Sequence, residues 1–358
     1  MKFGRFGIVS GVVSGVVFAT ALVNAGESTA IGGYGELHYN NIDTPKSDKQ
    51  RETVDFHRFV LFLDHEFSDT VRFFSEVELE HSIAGEGKSG EVELEQAYIE
   101  IDLKPNLALT AGLFLVPVGI INETHEPPTF YGVERNPVEK NIIPATWWES
   151  GAMLSGLIGE QGFSYAVAYH TGLALPTAED DNEDEYVVVN IRKGRQKSSK
   201  SNADNKALTG RLKFTGVAGL ELSASLQVQE DLDQVDGGVE EAVLLEMHGI
   251  YQSGPTTLKA LYARWDIDGD KESLTNDGAM KDEQMGYYLE GSYKISDAYG
   301  AFARFNAWEV DDEETKTQAD IGVNYWPHED VVIKADIQLQ NGDAGNADGF
   351  NLGVGYQF

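Results

Sequence analysis

From Thr29 to Phe358 the chain falls into short segments whose hydrophobicity alternates residue by residue, and that period constrains its fold most. In Gly219–Gln229, Leu220, Leu222, Ala224, Leu226 and Val228 share one phase, while Glu221, Ser223, Ser225, Gln227 and Gln229 share the other. Alternate side chains of a strand point to opposite sides, so such a segment has one apolar face and one wet face. Val331–Gln340 repeats this, with Val331, Ile333, Ala335, Ile337 and Leu339 against Val332, Lys334, Asp336, Gln338 and Gln340. In Leu208–Phe214 the apolar phase opposes Thr209, Arg211 and Lys213.

A soluble β-sandwich would alternate too, and the links between segments separate the two folds. The pattern predicts strands at 29–41, 54–67, 71–82, 91–104, 107–116, 149–158, 163–171 and 207–217. It continues at 220–229, 241–251, 256–265, 283–294, 299–309, 317–326, 331–341 and 348–358. Links from even to odd strands are tight, as at Pro105–Asn106 and Ala218–Gly219; links from odd to even strands are longer and acidic, as at Gly172–Lys206 and Asp266–Asp282. Short turns at one rim and long loops at the other are the arrangement of an outer-membrane barrel. The expected fold class is therefore all-β, a transmembrane antiparallel β-barrel of about 16 strands. Its last segment, Phe350–Phe358, keeps its apolar residues on one face and ends in an aromatic, like the assembly signal of such barrels.

Composition agrees. A mean hydropathy of −0.30 excludes a helical membrane bundle but not a barrel, in which lipid-facing and water-facing residues average out. The 59 acidic residues against 27 basic give a net charge of −32, which argues against nucleic-acid binding and fits acidic external loops. With no Cys, neither disulfides nor thiolate metal sites hold the chain. At the N-terminus, Lys2 and Arg5 precede an apolar run, Ile8 to Val23, and the small-residue site Val23-Asn24-Ala25. Residues 1–25 thus read as a secretory signal peptide and 26–358 as the barrel domain.

One stretch resists the alternation. Pro117–Glu149 holds five of the ten prolines, so it is neither a long helix nor a central strand. A connection of about thirty residues is far longer than usual, and such loops are generally functional. By strand count it is the third external loop. A barrel of this size leaves an aqueous channel, which this segment is expected to fold into and narrow. A lid over an enzyme site and a trimer-contact loop are the rival readings.

Gly132-Val133-Glu134-Arg135-Asn136, Val138-Glu139 and Ile142-Ile143-Pro144-Ala145-Thr146-Trp147 resemble the third-loop region of the phosphate-selective porin O/P family. Gly194-Arg195-Gln196 and Leu208-Thr209-Gly210-Arg211-Leu212 are similar to that family as well. The resemblance implies a trimeric, sixteen-stranded porin in the outer membrane of a Gram-negative bacterium, among lipid and lipopolysaccharide. The family's phosphate-selective members carry arginine and lysine ladders through the lumen, from which this acidic chain departs.

The expected constriction comprises Glu123, Glu126, Glu134, Arg135, Glu139 and Lys140 on the segment, with Arg58, Arg72 and Arg211 opposite. Further lumen candidates from the polar phases include Lys259 or Arg264, Arg304, Lys334, Glu76, Glu78, Glu246 and Asp336. The acidic excess of the segment predicts passive diffusion of small hydrophilic solutes with weak cation preference or none. Anion selectivity, for phosphate, is the alternative. It rests on the basic run Ile191–Lys200, whose Arg192, Lys193, Arg195 and Lys197 would bind anions if they fold over the mouth; acidic 179–185 precedes them. No GxSxG elbow, P-loop or HExxH helix occurs, and no catalytic residue, cofactor or metal is expected. A barrel enzyme and an adhesin are the remaining alternatives.

Overall fold

A computed structural model describes residues 28–44, 50–175, 191–232, 234, 241–268, 280–311, 315–342 and 346–358. The expected signal peptide and the acidic run 179–185 lie outside the described residues. Sixteen antiparallel strands form one closed barrel in which every strand pairs with its sequence neighbours. They are β1 (Ser28–Asp43), β2 (Gln50–Ser68), β3 (Val71–Glu80), β4 (Val92–Lys104), β5 (Leu107–Leu115), β6 (Trp148–Ile158), β7 (Phe163–His170) and β8 (Ala207–Val217). The circuit continues with β9 (Leu220–Gln229), β10 (Glu241–Ser253), β11 (Thr256–Asp268), β12 (Met280–Lys294), β13 (Tyr299–Asp311), β14 (Lys316–His328), β15 (Val331–Asn341) and β16 (Gly349–Gln357). Closure falls between β1 and β16, where Gly33 and Phe358 exchange backbone bonds of 3.0 and 2.9 Å.

Burial is inverted relative to a soluble protein. On β9 the apolar Leu222 and Leu226 are 47% and 49% exposed, while Ser225 and Gln227 of the opposite phase are buried. In a closed barrel the exposed apolar phase faces lipid and the buried polar phase faces inward. Tyr251, Tyr293 and Phe358 add exposed aromatics near strand ends, as an interfacial girdle requires.

At the long-loop rim of β10, β11 and β13 the inward phase turns apolar. Ala242 and Leu244, Leu261, Ala263, Trp265 and Ile267, and Trp308 and Val310 are all buried there. They pack with Val116, Val118, Ile120, Val138, Ile142, Ile143 and Trp147 of the long β5–β6 connection into one hydrophobic cluster. On β11 the polar phase therefore points outward: Arg264 pairs with Glu283 at 3.2 Å and with Asp266. Lys259, on the inward phase, reaches Glu290 at 3.6 Å.

Two bulges change which residues face inward. Glu36 pairs with Arg58 but His38 with Asp55, so β2 gains a residue there. Glu76 pairs with Gln96 but Val77 with Leu94, so Glu95 is extra in β4. Such insertions re-aim side chains.

Candidate functional site

The β5–β6 connection contains a short helix, α1 (Pro137–Asn141), whose start is written locally in Asn136-Pro137-Val138-Glu139. Asn136 Oδ1 accepts from Glu139 N–H at 2.8 Å, and Asn136 Nδ2 donates to Glu139 Oε1 at 3.2 Å. This is a side-chain N-cap with proline in the first turn, its amide also tied to the Glu139 carboxylate. Glu139 is fully buried, and its Oε2 accepts the backbone N–H groups of Ile120 (2.9 Å) and Ile121 (2.5 Å). Its Oε1 accepts from Tyr288 Oη at 2.9 Å. Glu139 therefore holds the segment together and to β12.

Further bonds join the segment to the buried polar phase of the wall. Val133 N–H donates to Asp336 at 2.6 Å, Lys334 Nζ to Gly132 O at 2.9 Å, and Ser225 Oγ to Pro117 O at 3.2 Å. Lys334 also sits 3.5 Å from the Phe130 ring centroid. Glycine makes room for this approach: a Cβ on Gly355 of β16 would lie 2.3 Å from Pro127 Cβ.

The expected site residues divide into separate groups. Glu123 pairs with Arg211 of β8. Glu134 accepts from Asn40 Nδ2 at 3.0 Å and bonds His38 Nδ1 at 3.0 Å. Burial alone would raise the Glu134 carboxyl, but the bond and charge of His38 hold it well below the usual carboxylate range. Glu126 is buried beside His125, and burial pushes its carboxyl up. Arg72 lies near the short-turn rim, pairing with Glu100 and with Asp102 at 2.8 Å. No hydrogen bond or ion pair joins Arg72 to 117–149 among the described residues.

A cleft brings together Arg58 of β2, Arg135 and Lys140 of the segment, and Arg192 of the β7–β8 connection, with Glu36, Glu80, Glu134, His38 and His57. Arg58 Nε lies 2.9 Å from Glu36. Arg135 Nη1 donates to Thr146 Oγ1 at 2.5 Å, while its buried Nε and Nη2 have no hydrogen-bond partner among the described residues. Lys140 reaches solvent in the cleft, yet the surrounding protein, then Arg192, Arg135 and Arg58, push it below the usual lysine range against the pull of Glu134.

The basic run folds onto the segment. Arg192 Nη1 donates to the carbonyls of Lys140 (2.9 Å) and Ala145 (2.5 Å), and Arg195 Nη1 to those of Pro144 (3.3 Å) and Thr146. Arg195 and Lys197 flank the Trp148 ring at 5.9 and 5.6 Å, and Lys197 pairs with Glu91 and Glu93. Lys193 is exposed. The polar-phase reading missed Glu36, His38 and His57. The adjacent polar pair His57-Arg58, which marks the β2 bulge, was a usable signal for His57.

Residues 31–358 match the family model described as phosphate-selective porin O and P. The chain belongs to that family. The porin is 30% identical over 354 residues to an uncharacterized protein of Aquifex aeolicus (strain VF5), covering 89% of this chain and 77% of that one. Among solved structures it is similar to the outer membrane channel DcaP of Acinetobacter baumannii, with TM-score 0.62 and 17% identity over 95% of this chain and 100% of that one. It is also similar to an anion-selective porin from Comamonas acidovorans, with TM-score 0.65 and 12% identity over 93% and 100%. Family and fold support an outer-membrane porin channel.

Proposed function

We propose that the porin passes small hydrophilic solutes by diffusion and favours anions, at a constriction formed by 117–149 and 191–200 inside the barrel. The convergence of Arg58, Arg135, Lys140 and Arg192 in one cleft carries this reading. Arg135 lines this cleft, and its Nε and Nη2, buried without an acceptor among the described residues, leave its charge unneutralised by a direct bond there. A planar guanidinium suits phosphate and carboxylate oxygens, and a narrow protein-walled mouth strengthens the field of these cations.

The weak cation preference expected from the acidic segment loses its support in the same geometry. Glu123 is engaged by Arg211, Glu134 by His38 and Asn40, and Glu139 by Ile120, Ile121 and Tyr288. These carboxylates anchor the segment rather than stand free along a path. Selectivity for phosphate in the family's description and for anions in the Comamonas porin points the same way.

The porin assembles as a homotrimer, as OmpT of Vibrio cholerae does in its trimer form. It sits among outer-membrane lipid and lipopolysaccharide after removal of residues 1–25. The test is the pair Arg135→Gln and Lys140→Gln in one protein. Its anion-over-cation permeability should fall severalfold in planar bilayers, and an unchanged ratio would remove the reading.

A further inference from the structure

We propose that Glu76, Glu95 and His125 form a divalent-cation site that clasps the 117–149 segment to the β3–β4 wall. This does not depend on the ion preference of the channel. The three groups come from two adjacent strands and the segment, and each offers a ligand atom within 4.8 Å of the others. All are buried, at 1%, 1% and 3% exposure. His125 Nε2 lies 3.3 Å from Glu76 Oε1 and 3.8 Å from Glu95 Oε2.

Three observations point to a ligand. First, the β4 bulge delivers Glu95 to the interior. By the phase of Gln96, Tyr98 and Glu100, residue 95 would face lipid, and the extra residue turns it inward beside Gln96. Second, among the described residues no donor makes a hydrogen bond to Glu95 Oε2 or to either carboxylate oxygen of neighbouring Glu78, all of them buried, so these two carboxyls can bond each other only through a shared proton. Carboxylates buried together need a compensating cation or proton. The nearby Arg58 is already shared between Glu36 at 2.9 Å and Glu78 at 3.5 Å.

Third, His125 Nδ1 lies 3.3 Å from the carbonyl of Asn122. A carbonyl only accepts, so Nδ1 carries the hydrogen. Nε2 faces Glu76 Oε1 and Glu95 Oε2, which likewise only accept, so that position takes a ring hydrogen when no ion is bound; a divalent cation would displace that hydrogen and take the Nε2 lone pair between the two carboxylates. Glu76 is meanwhile oriented by Gln96, whose Nε2 donates to its other oxygen at 2.6 Å. Outer partners of this kind accompany metal ligands. Two carboxylate oxygens and one imidazole nitrogen suit a first-row divalent cation such as Mn²⁺ or Zn²⁺; Ca²⁺ and Mg²⁺ prefer oxygen alone.

The test uses the purified full-length porin, stripped with a chelator and titrated with Mn²⁺ alone while free Mn²⁺ is followed by electron paramagnetic resonance. One Mn²⁺ per chain should bind at least about tenfold more tightly than in Glu95→Gln or His125→Gln. Pulsed spectra of the wild type should show nitrogen coupling from an imidazole, and His125→Gln should lose it. Both variants keep the side chain polar and similar in size, and His125→Gln carries the comparison should Glu95→Gln fold poorly. Equal uptake by wild type and both variants would mean adventitious binding on the acidic surface and would overturn the site. So would the absence of nitrogen coupling, or of any binding at millimolar Mn²⁺.

Discussion

Trp265 on β11 donates its indole Nε1–H to the carbonyl of Ile142, 2.8 Å away, at the C-terminal end of α1. Both residues are fully buried. The bond satisfies a donor and an acceptor that would otherwise be costly to bury, and it fixes where the segment seats on its apolar wall. Trp147, 6.2 Å from Trp265 between ring centroids, completes the contact. Apolar packing thus holds the segment, and single polar bonds set its register.

Trp265→Ala should weaken that seat by about 3–5 kcal/mol, the cost of emptying a buried aromatic site. Trp265→Phe loses mainly the bond, about 1 kcal/mol. The barrel itself should persist. Single-channel recording should show larger and noisier conductance in the alanine variant and a smaller change in the phenylalanine one.

Glu139→Ala leaves Ile120 N–H, Ile121 N–H and Tyr288 Oη without their acceptor. Each unmade buried bond costs about 1–3 kcal/mol, so the segment should detach from β12. Protease sensitivity of 117–149 in the detergent-solubilised protein, negligible in the wild type, would report it.

The Glu134–His38 contact carries a pH signature. A carboxyl held below its unfolded value stabilises the fold above that value, and the stabilisation is lost as pH falls through the folded value. For Glu134 that loss belongs in strong acid, below the ordinary carboxylate range. His38→Gln removes the chief group that lowers this carboxyl and leaves the burial that raises it, so Glu134 should titrate at higher pH than in the wild type and its stabilising contribution should shrink. Conductance followed against pH in the two proteins checks the direction.

Lys140 gives the opposite limb. Its lowered value means its charge is lost at a pH below the usual 10.5. Anion preference should therefore decline as the medium becomes alkaline. Lys140→Arg should retain it, since a guanidinium keeps its proton throughout that range. Identical alkaline profiles in the two proteins would remove Lys140 from the selectivity mechanism.

The barrel was legible because period-two alternation and the short-long rhythm of the links are local. β8 and β9 fall at the expected 207–217 and 220–229, while β2 and β12 begin a few residues early, where their alternation fades into acidic loop sequence. The site was less legible for two physical reasons. Residues as distant as Arg58, Arg135 and Arg192 meet only through tertiary folding. The polar phase is also a poor guide to the lumen wherever the wall itself is apolar or bulged. On β11, Leu261, Ala263, Trp265 and Ile267 face inward because the segment covers them, sending Arg264 outward. The adjacent polar pairs His57-Arg58 and Glu95-Gln96 mark the two bulges, since a regular strand would place one of each pair against lipid.

The most direct measurement is the reversal potential of the purified porin in planar bilayers under a potassium chloride gradient, repeated with millimolar phosphate. An anion-leaning potential with current reduced by phosphate is the predicted result. A cation-leaning potential untouched by phosphate would contradict the cationic cleft as the site that sets passage.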